Sequence, residues 1–292
     1  MGIFKALFGG SSETSEEKQK ADEARRFDMF KYDGVKAARM GQADYAVKCY
    51  REALAIHDDL EVRDYLSQVL MGQGEFEAAR EELRVLAGAE PDNAAIHIRT
   101  AQVAFLQEDY DGMADACRLA LQADGDNPLT HYLYGRASVG QNNMVAAIAM
   151  LTKAIALKDD YADALLLRSS TLLTMGDVSG ADADVTRMLE MVPDSEDGLL
   201  LKARVERRKG SCEAAMEIYN KVVELNPFCT EAFRERGAIK YEQGDMTGAQ
   251  ADMQTVMELE PETVADINGE YSAEGIEHKV RKAYSNINPL GL

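Results

Sequence analysis

The sequence predicts an all-α protein in which one helix-turn-helix unit is repeated along the chain, an architecture called an α-solenoid. Two observations on the pattern support this: a turn residue recurs at a fixed spacing, and apolar residues fall at helical spacing on both sides of it. The composition agrees, because the 292 residues are 46% hydrophobic and include no tryptophan and only 6 prolines. Such values suit an all-helical array better than a sheet protein.

The turn residue recurs every 33 or 34 residues and is glycine in five of seven copies. Its positions are Gly41, Gly74, Glu108, Asn142, Gly176, Gly210 and Gly244. Internal repetition at this spacing indicates one supersecondary unit stacked on copies of itself. The sequence therefore predicts seven consecutive units.

Two positions within the unit carry small residues when the unit is numbered from 1 to 34 with the turn residue at 15. Position 8 reads Gly34, Ser67, Ala101, Gly135, Ser169, Ala203 and Gly237. Position 20 is alanine in every copy except the third, which has Met113. Small residues at these places let the backbones of two helices approach closely where they cross.

The turn residue ends the first helix, where the chain often adopts a left-handed conformation that glycine tolerates best and asparagine next. Asn142 meets that demand, whereas Glu108 does not. Position 32 ends the second helix with Pro91, Pro193, Pro227 and Pro261. Gly125 and Asp159 replace proline in the third and fourth copies, so we expect looser joints there.

This combination of spacing and position types resembles the tetratricopeptide repeat family, whose 34-residue unit has small residues at positions 8 and 20 and proline at 32. The resemblance covers residues 27–263 and implies a right-handed superhelix. The implied repeats are 27–60, 60–93, 94–127, 128–161, 162–195, 196–229 and 230–263. In this family, partner peptides usually bind in a concave groove.

The two ends of the chain lie outside the repeat pattern. Residues 1–26 are predicted to form a flexible or partly helical arm, and residues 264–292 a capping helix and a tail. The arm begins with an apolar stripe at Ile3, Phe4, Leu7 and Phe8. A stripe with one basic residue binds a membrane weakly, so we favour docking of the arm on protein. Membrane contact through residues 1–10 is the alternative.

The net charge of −19, from 51 acidic and 32 basic residues, argues against nucleic acid as a partner. Sequence-independent affinity for nucleic acid comes from clustered lysine and arginine. The four cysteines form no C-x-x-C pair, which is typical of a reducing compartment and predicts a cytoplasmic protein. Cys49 and Cys117 occupy an inward position of the second helix, so we interpret them as core residues.

No catalytic motif is present in the sequence, so we expect no enzymatic activity, no cofactor and no metal. His97 and His131 both occupy position 4 of a repeat and are interpreted as packing residues rather than metal ligands. Neighbouring acids such as Asp182 and Asp184 are interpreted as solvated charge.

The family resemblance places the groove at positions 2, 5, 9 and 12 of each first helix. The candidate partner-binding residues on this stripe are Gln68, Met71, Ile98, Gln102, Phe105, Tyr132, Arg136, Val139, Leu166, Leu173, Leu200, Arg204, Arg207 and Arg234. The middle of the stripe is apolar and its C-terminal half is rich in arginine. Such a surface suits a peptide or amphipathic segment with apolar anchors and acidic residues.

The sequence thus predicts a non-enzymatic scaffold or adaptor that binds a protein partner in the groove. Three alternatives stay open: an assembly factor recruited to a membrane through the arm, a ligand sensor or enzyme, and a groove too buried to bind anything. Homo-oligomerisation and occupation of the groove by the protein's own arm or tail also stay open.

We predict that the protein does not bind chaperone tails ending in EEVD. The family's carboxylate clamp needs lysine and asparagine at fixed groove positions; Lys31 matches, but Val35, Gln68, Ile98 and Gln102 do not. Titration with a C-terminal EEVD peptide should therefore give no saturable signal. Saturable binding that depends on the terminal carboxylate would contradict the prediction.

Overall fold

The computed structural model describes residues 15–260, and this part of the chain consists of fourteen helices without a strand. The helices are α1 (Ser15–Arg39), α2 (Ala43–Ile56), α3 (Leu60–Gly72), α4 (Phe76–Ala89), α5 (Ala94–Leu106), α6 (Tyr110–Ala123), α7 (Pro128–Gly140), α8 (Met144–Leu157), α9 (Ala162–Thr174), α10 (Val178–Met191), α11 (Glu196–Arg208), α12 (Cys212–Leu225), α13 (Thr230–Glu242) and α14 (Met246–Leu259). Each odd-numbered helix packs against the even-numbered helix that follows it. The prediction of an all-α array of seven helix-turn-helix units is confirmed.

The turn between the two helices of each unit has the predicted left-handed backbone. All seven turn residues have φ between 55° and 86°. Asn142 (φ 57°) and Glu108 (φ 55°) adopt this conformation without being glycine. For Glu108 the tertiary fold overrides a local preference, because the side chain of an L-residue crowds the backbone in this conformation.

The second helix of several units starts with an aspartate immediately after the turn. Asp109, Asp177 and Asp245 each accept a hydrogen bond from a backbone N–H three residues further on, at 2.9 Å. This N-cap satisfies a donor that the first turn of a helix leaves without an intrahelical partner. The cap therefore lets the chain leave the left-handed turn and resume a helix at once.

The small residues lie where the helices cross, as predicted. A Cβ on Gly34 would lie 2.6 Å from Cε1 of Tyr50, and one on Gly135 would lie 2.7 Å from Cγ of Leu151. Ser169 fits because its hydroxyl donates to the carbonyl oxygen of Ala181 at 2.7 Å. Every residue at position 20 is completely buried. A side chain at Gly34 or Gly135 would therefore require the facing Tyr50 or Leu151 side chain to move.

The seven helix-turn-helix repeats fall into two larger compact bodies, which we call the first unit and the second unit. The first unit ends at Gly125 and the second unit starts at Asp126. Within residues 15–125, the first unit contains α1–α6 and a core around Tyr50, Leu66 and Leu83. Within residues 126–260, the second unit contains α7–α14 and several smaller core clusters. The division falls at a joint where glycine replaces the proline of position 32.

The predicted arm and cap are described only in part. Residues 15–26 are helical and exposed, and they continue directly into the first helix of the first repeat. The apolar stripe in residues 1–10 and the predicted capping helix and tail, 264–292, lie outside the described residues. Within residues 15–260, no helix is long and apolar enough to cross a membrane.

The cysteines and histidines interpreted as core residues are buried. Cys49 and Cys117 are both inaccessible, and burial raises the pKa of the Cys117 thiol to about 12. His97 and His131 are 5% and 7% exposed, and Nε2 of His97 lies 2.6 Å from the carbonyl oxygen of Pro91. Both pairs are therefore confirmed as packing residues.

The interpretation of Asp184 as solvated charge is wrong. This aspartate is 7% exposed and accepts two hydrogen bonds from Arg168, both at 2.7 Å. Arg168 also donates to the hydroxyl of Thr152 in the preceding repeat at 3.0 Å. Arg236 and Asp252 form the same arrangement two repeats further along the chain. A sequence shows an aspartate on a helix but not the arginine that reaches it from another helix.

We predict that Glu108→Gly stabilises the protein by about 1 kcal/mol, because glycine adopts the left-handed conformation without crowding. Urea unfolding followed by circular dichroism measures the change. The matched control is Glu52→Gly in the exposed face of α2, which should lose about 1 kcal/mol because glycine is unfavourable within a helix. Destabilisation by both changes would contradict the assignment of strain to residue 108.

Candidate peptide-binding groove

The second unit contains an open groove of about 420 Å³ formed by side chains from four successive first helices, α7, α9, α11 and α13. Its lining residues are Tyr132, Arg136, Asp163, Leu166, Leu167, Ser170, Asp197, Leu200, Leu201, Arg204 and Glu231. Nine of these eleven occupy positions 2, 5 or 9 of their repeat. We call this surface the second-unit groove.

Five of the candidate residues lie around this groove. They are Tyr132, Arg136, Leu166, Leu200 and Arg204. Four further lining residues at the same repeat positions were not among the candidates: Asp163, Ser170, Asp197 and Glu231. The sequence did contain a signal for these four residues, because they occupy positions 2 and 9, which belong to the same stripe. Their polar side chains, however, do not stand out as anchors for a partner.

Four other candidates of the second unit do not line the groove: Val139, Leu173, Arg207 and Arg234. Leu173 is 3% exposed and packs in a core cluster with Val185 and Leu201. Leu200 lines the groove but is itself only 4% exposed. For these two leucines, packing against the neighbouring repeat removes most of the surface that a ligand would contact.

The remaining candidates belong to the first unit and are Gln68, Met71, Ile98, Gln102 and Phe105. Gln68 is exposed, and the other four are half-buried. The side-chain amide of Gln68 donates to a carboxylate oxygen of Asp64 at 2.8 Å. Their role in binding stays a prediction.

Arg204 is held in place by a buried network beneath the groove. Its Nε and Nη2 donate to Oε1 of Glu235 at 2.8 and 2.7 Å, and Nη2 also contacts Glu231. The hydroxyl of Tyr219, completely buried, donates to the other oxygen of Glu235. Burial and the charge of Glu235 raise the pKa of Tyr219. Burial by itself lowers the pKa of Arg204, but hydrogen bonding to Glu235 raises it above the usual value.

Two further arginines of the candidate stripe are also paired within the chain. Arg207 donates to Glu242 at 2.5 Å, and Arg234 donates to Glu260 at 2.9 Å. With Arg204, three of the four arginines have their charge compensated by carboxylates of the same chain. The guanidinium of Arg136, the fourth, lies 5.6 Å from the centre of the Tyr132 ring.

The carboxylates of Asp163 and Asp197 are exposed at the groove and form no ion pair with any residue in 15–260. Both occupy position 2, in the first turn of α9 and α11. Among the other charged side chains of the groove, Arg204 pairs with Glu231 and Glu235, and the guanidinium of Arg136 lies over the Tyr132 ring. The groove therefore contains two exposed carboxylates as well as the cation Arg136.

Paired helices joined by left-handed turns, with a groove along the first helices, define a helical repeat protein of the tetratricopeptide class. The tetratricopeptide repeat family profile matches residues 66–128, 166–228 and 200–256, more than half of the chain. The chain belongs to the tetratricopeptide repeat family. Comparison with curated proteins finds no significant match.

Solved structures with the same fold include a tetratricopeptide repeat protein from Parabacteroides merdae, with 14% identity and a TM-score of 0.68 over 90% of this chain and 100% of that one. PilF of Pseudomonas aeruginosa has 18% identity and a TM-score of 0.59, covering 70% and 94% of the two chains. YrrB, described as a tetratricopeptide repeat protein with an unusual peptide-binding site, has 20% identity and a TM-score of 0.53, covering 62% and 94%. At these identities the likeness shows the fold alone.

We predict that Glu235→Ala lowers the free energy of unfolding by about 3 kcal/mol, because it leaves the partly buried Arg204 and the Tyr219 hydroxyl without their shared acceptor. The urea unfolding midpoint of the full chain measures the loss. Glu242→Ala is the control, because this carboxylate is exposed and pairs with Arg207; it should change stability by less than about 1 kcal/mol. Equal losses from the two variants would refute a special role for the buried network.

Proposed function

We propose that the protein is a non-enzymatic scaffold that binds a peptide or amphipathic segment of a partner protein in the second-unit groove. The observation that carries this proposal is the continuity of the groove across four successive first helices. An extended segment laid along it contacts several repeats at once. The description of YrrB as having a peptide-binding site supports a ligand of this kind.

The apolar contribution to binding comes from Tyr132 and Leu166. Both are half-buried, so each presents part of its surface to the groove while the rest packs against the core. The Tyr132 ring packs on the Tyr161 ring with centroids 5.1 Å apart. A tyrosine held in this way loses little conformational freedom on binding, which makes it an effective anchor at an interface.

The expected acidic residues of the partner have less support than the apolar anchors. That expectation depends on four arginines, and Arg204, Arg207 and Arg234 already pair with carboxylates of the same chain. An acidic partner has to displace those carboxylates before it gains an ion pair. We therefore retain the apolar anchors in the proposal and leave the acidic residues of the partner out of it.

We also propose a cytoplasmic location. All four cysteines are free, and Cys49, Cys117 and Cys229 are buried. Free buried thiols are typical of proteins in a reducing compartment.

We predict that Ser170→Trp abolishes binding of the native partner. Ser170 is exposed and lines the groove, so an indole there fills the space without removing any core contact. Affinity capture from native extract, with the recovered proteins quantified, measures the effect.

The matched control is Ser179→Trp on α10, an exposed serine that does not line the groove. It introduces the same side chain and should leave partner recovery unchanged. Circular dichroism establishes that both variants keep the fold. Undiminished recovery with folded Ser170→Trp would show that the partner binds elsewhere.

A further inference from the structure

Two carboxylates of the second-unit groove stand at the same place in consecutive repeats. Asp163 and Asp197 occupy position 2 of the fifth and sixth repeats, and both are exposed. Glu231 has the same position in the seventh repeat, but it contacts Arg204. The first two form no ion pair within residues 15–260, and the cation Arg136 lines the same groove on α7.

A carboxylate in the first turn of a helix also interacts favourably with the helix dipole, which explains why aspartate is tolerated at position 2. That interaction does not depend on which face of the helix the residue occupies. The interaction is weak at an exposed position and leaves the carboxylate charged on the groove side. The same carboxylate can thus interact with the helix dipole and with a cation of the ligand at the same time.

The spacing of the two carboxylates follows from the packing of the helices that carry them. α9 and α11 contact each other directly, and packed helices have axes about 8–10 Å apart. An extended peptide in the polyproline II conformation has three residues per turn and rises 3.1 Å per residue. Side chains three residues apart consequently point to the same side at a separation of about 9 Å.

We propose that the second-unit groove selects an extended peptide with lysine or arginine at two positions three residues apart. This inference rests on the proposed function and adds the charge of the partner to it. The two cations contact Asp163 and Asp197, and a neighbouring apolar residue of the peptide contacts Tyr132 and Leu166. The net charge of −19 attracts such a peptide from a distance and speeds its association.

Fluorescence anisotropy with the full chain and labelled twelve-residue peptides tests this inference. One probe carries lysine at every third position with proline and leucine between. A second has the same composition with the lysines consecutive, and a third has glutamate in place of lysine. The first probe should bind most tightly, and its affinity should fall as salt screens the ion pairs.

The double variant Asp163→Asn, Asp197→Asn should weaken binding of the first probe about tenfold, since two ion pairs are lost. Asp160→Asn with Glu213→Gln is the control, because it removes two exposed charges that do not line the groove. It should bind the probe as the unchanged protein does. Ser170→Trp should abolish binding of the probe.

Several outcomes overturn the inference. They are absence of binding to all three probes, tighter binding of the glutamate probe, equal binding of the two lysine probes, and equal weakening by the double variant and its control. If any of these occurs while Ser170→Trp still abolishes capture of the native partner, the proposed function stands and only the charge of the ligand is wrong. If capture is also insensitive to Ser170→Trp, the groove is not the binding site.

Discussion

The close crossing of two helices within each repeat is the constraint on which the rest of the structure depends. It is favoured by small residues at position 8 and by a residue at position 20 that is alanine in six of seven copies and completely buried in every copy. It also requires a turn short enough to reverse the chain, which the left-handed residue at position 15 supplies. The four copies within residues 126–260 meet both requirements, and their first helices share one rotation, presenting positions 2, 5 and 9 to the same groove.

The second-unit groove is a consequence of that regular rotation. When α7, α9, α11 and α13 repeat the same orientation, positions 2, 5 and 9 of successive helices line up into one surface. The apolar surface of the groove is small, because Leu200 is almost wholly buried by packing between repeats. What remains for a ligand is the half-buried Tyr132, Leu166 and Leu167, flanked by charged side chains. Such a surface relies on orientation of polar groups as much as on apolar burial.

The charged side chains of the second unit mainly form ion pairs with one another. The pairs Arg168–Asp184 and Arg236–Asp252 join the two helices of a repeat, and each arginine also contacts a polar residue of the preceding repeat. Arg204 belongs to a similar network with Glu235 and Tyr219. Breaking one partner of such a pair leaves a partly buried charge without compensation, which costs far more than the loss of an exposed pair. The exposed carboxylates of Asp163 and Asp197 stand outside these networks.

The sequence by itself determined the repeat, its length and its family, because spacing and residue size are properties of the chain read in order. It also identified the buried cysteines and histidines from their place in the repeat, and five of its candidate residues line the second-unit groove. The tertiary structure alone decided that Glu108 adopts a left-handed backbone, that Leu173 is core, and that Asp184 is buried against Arg168. It also decided that three stripe arginines are neutralised. Each of these depends on which side chains approach from other helices, and a distance across helices is not encoded at any single position of the sequence.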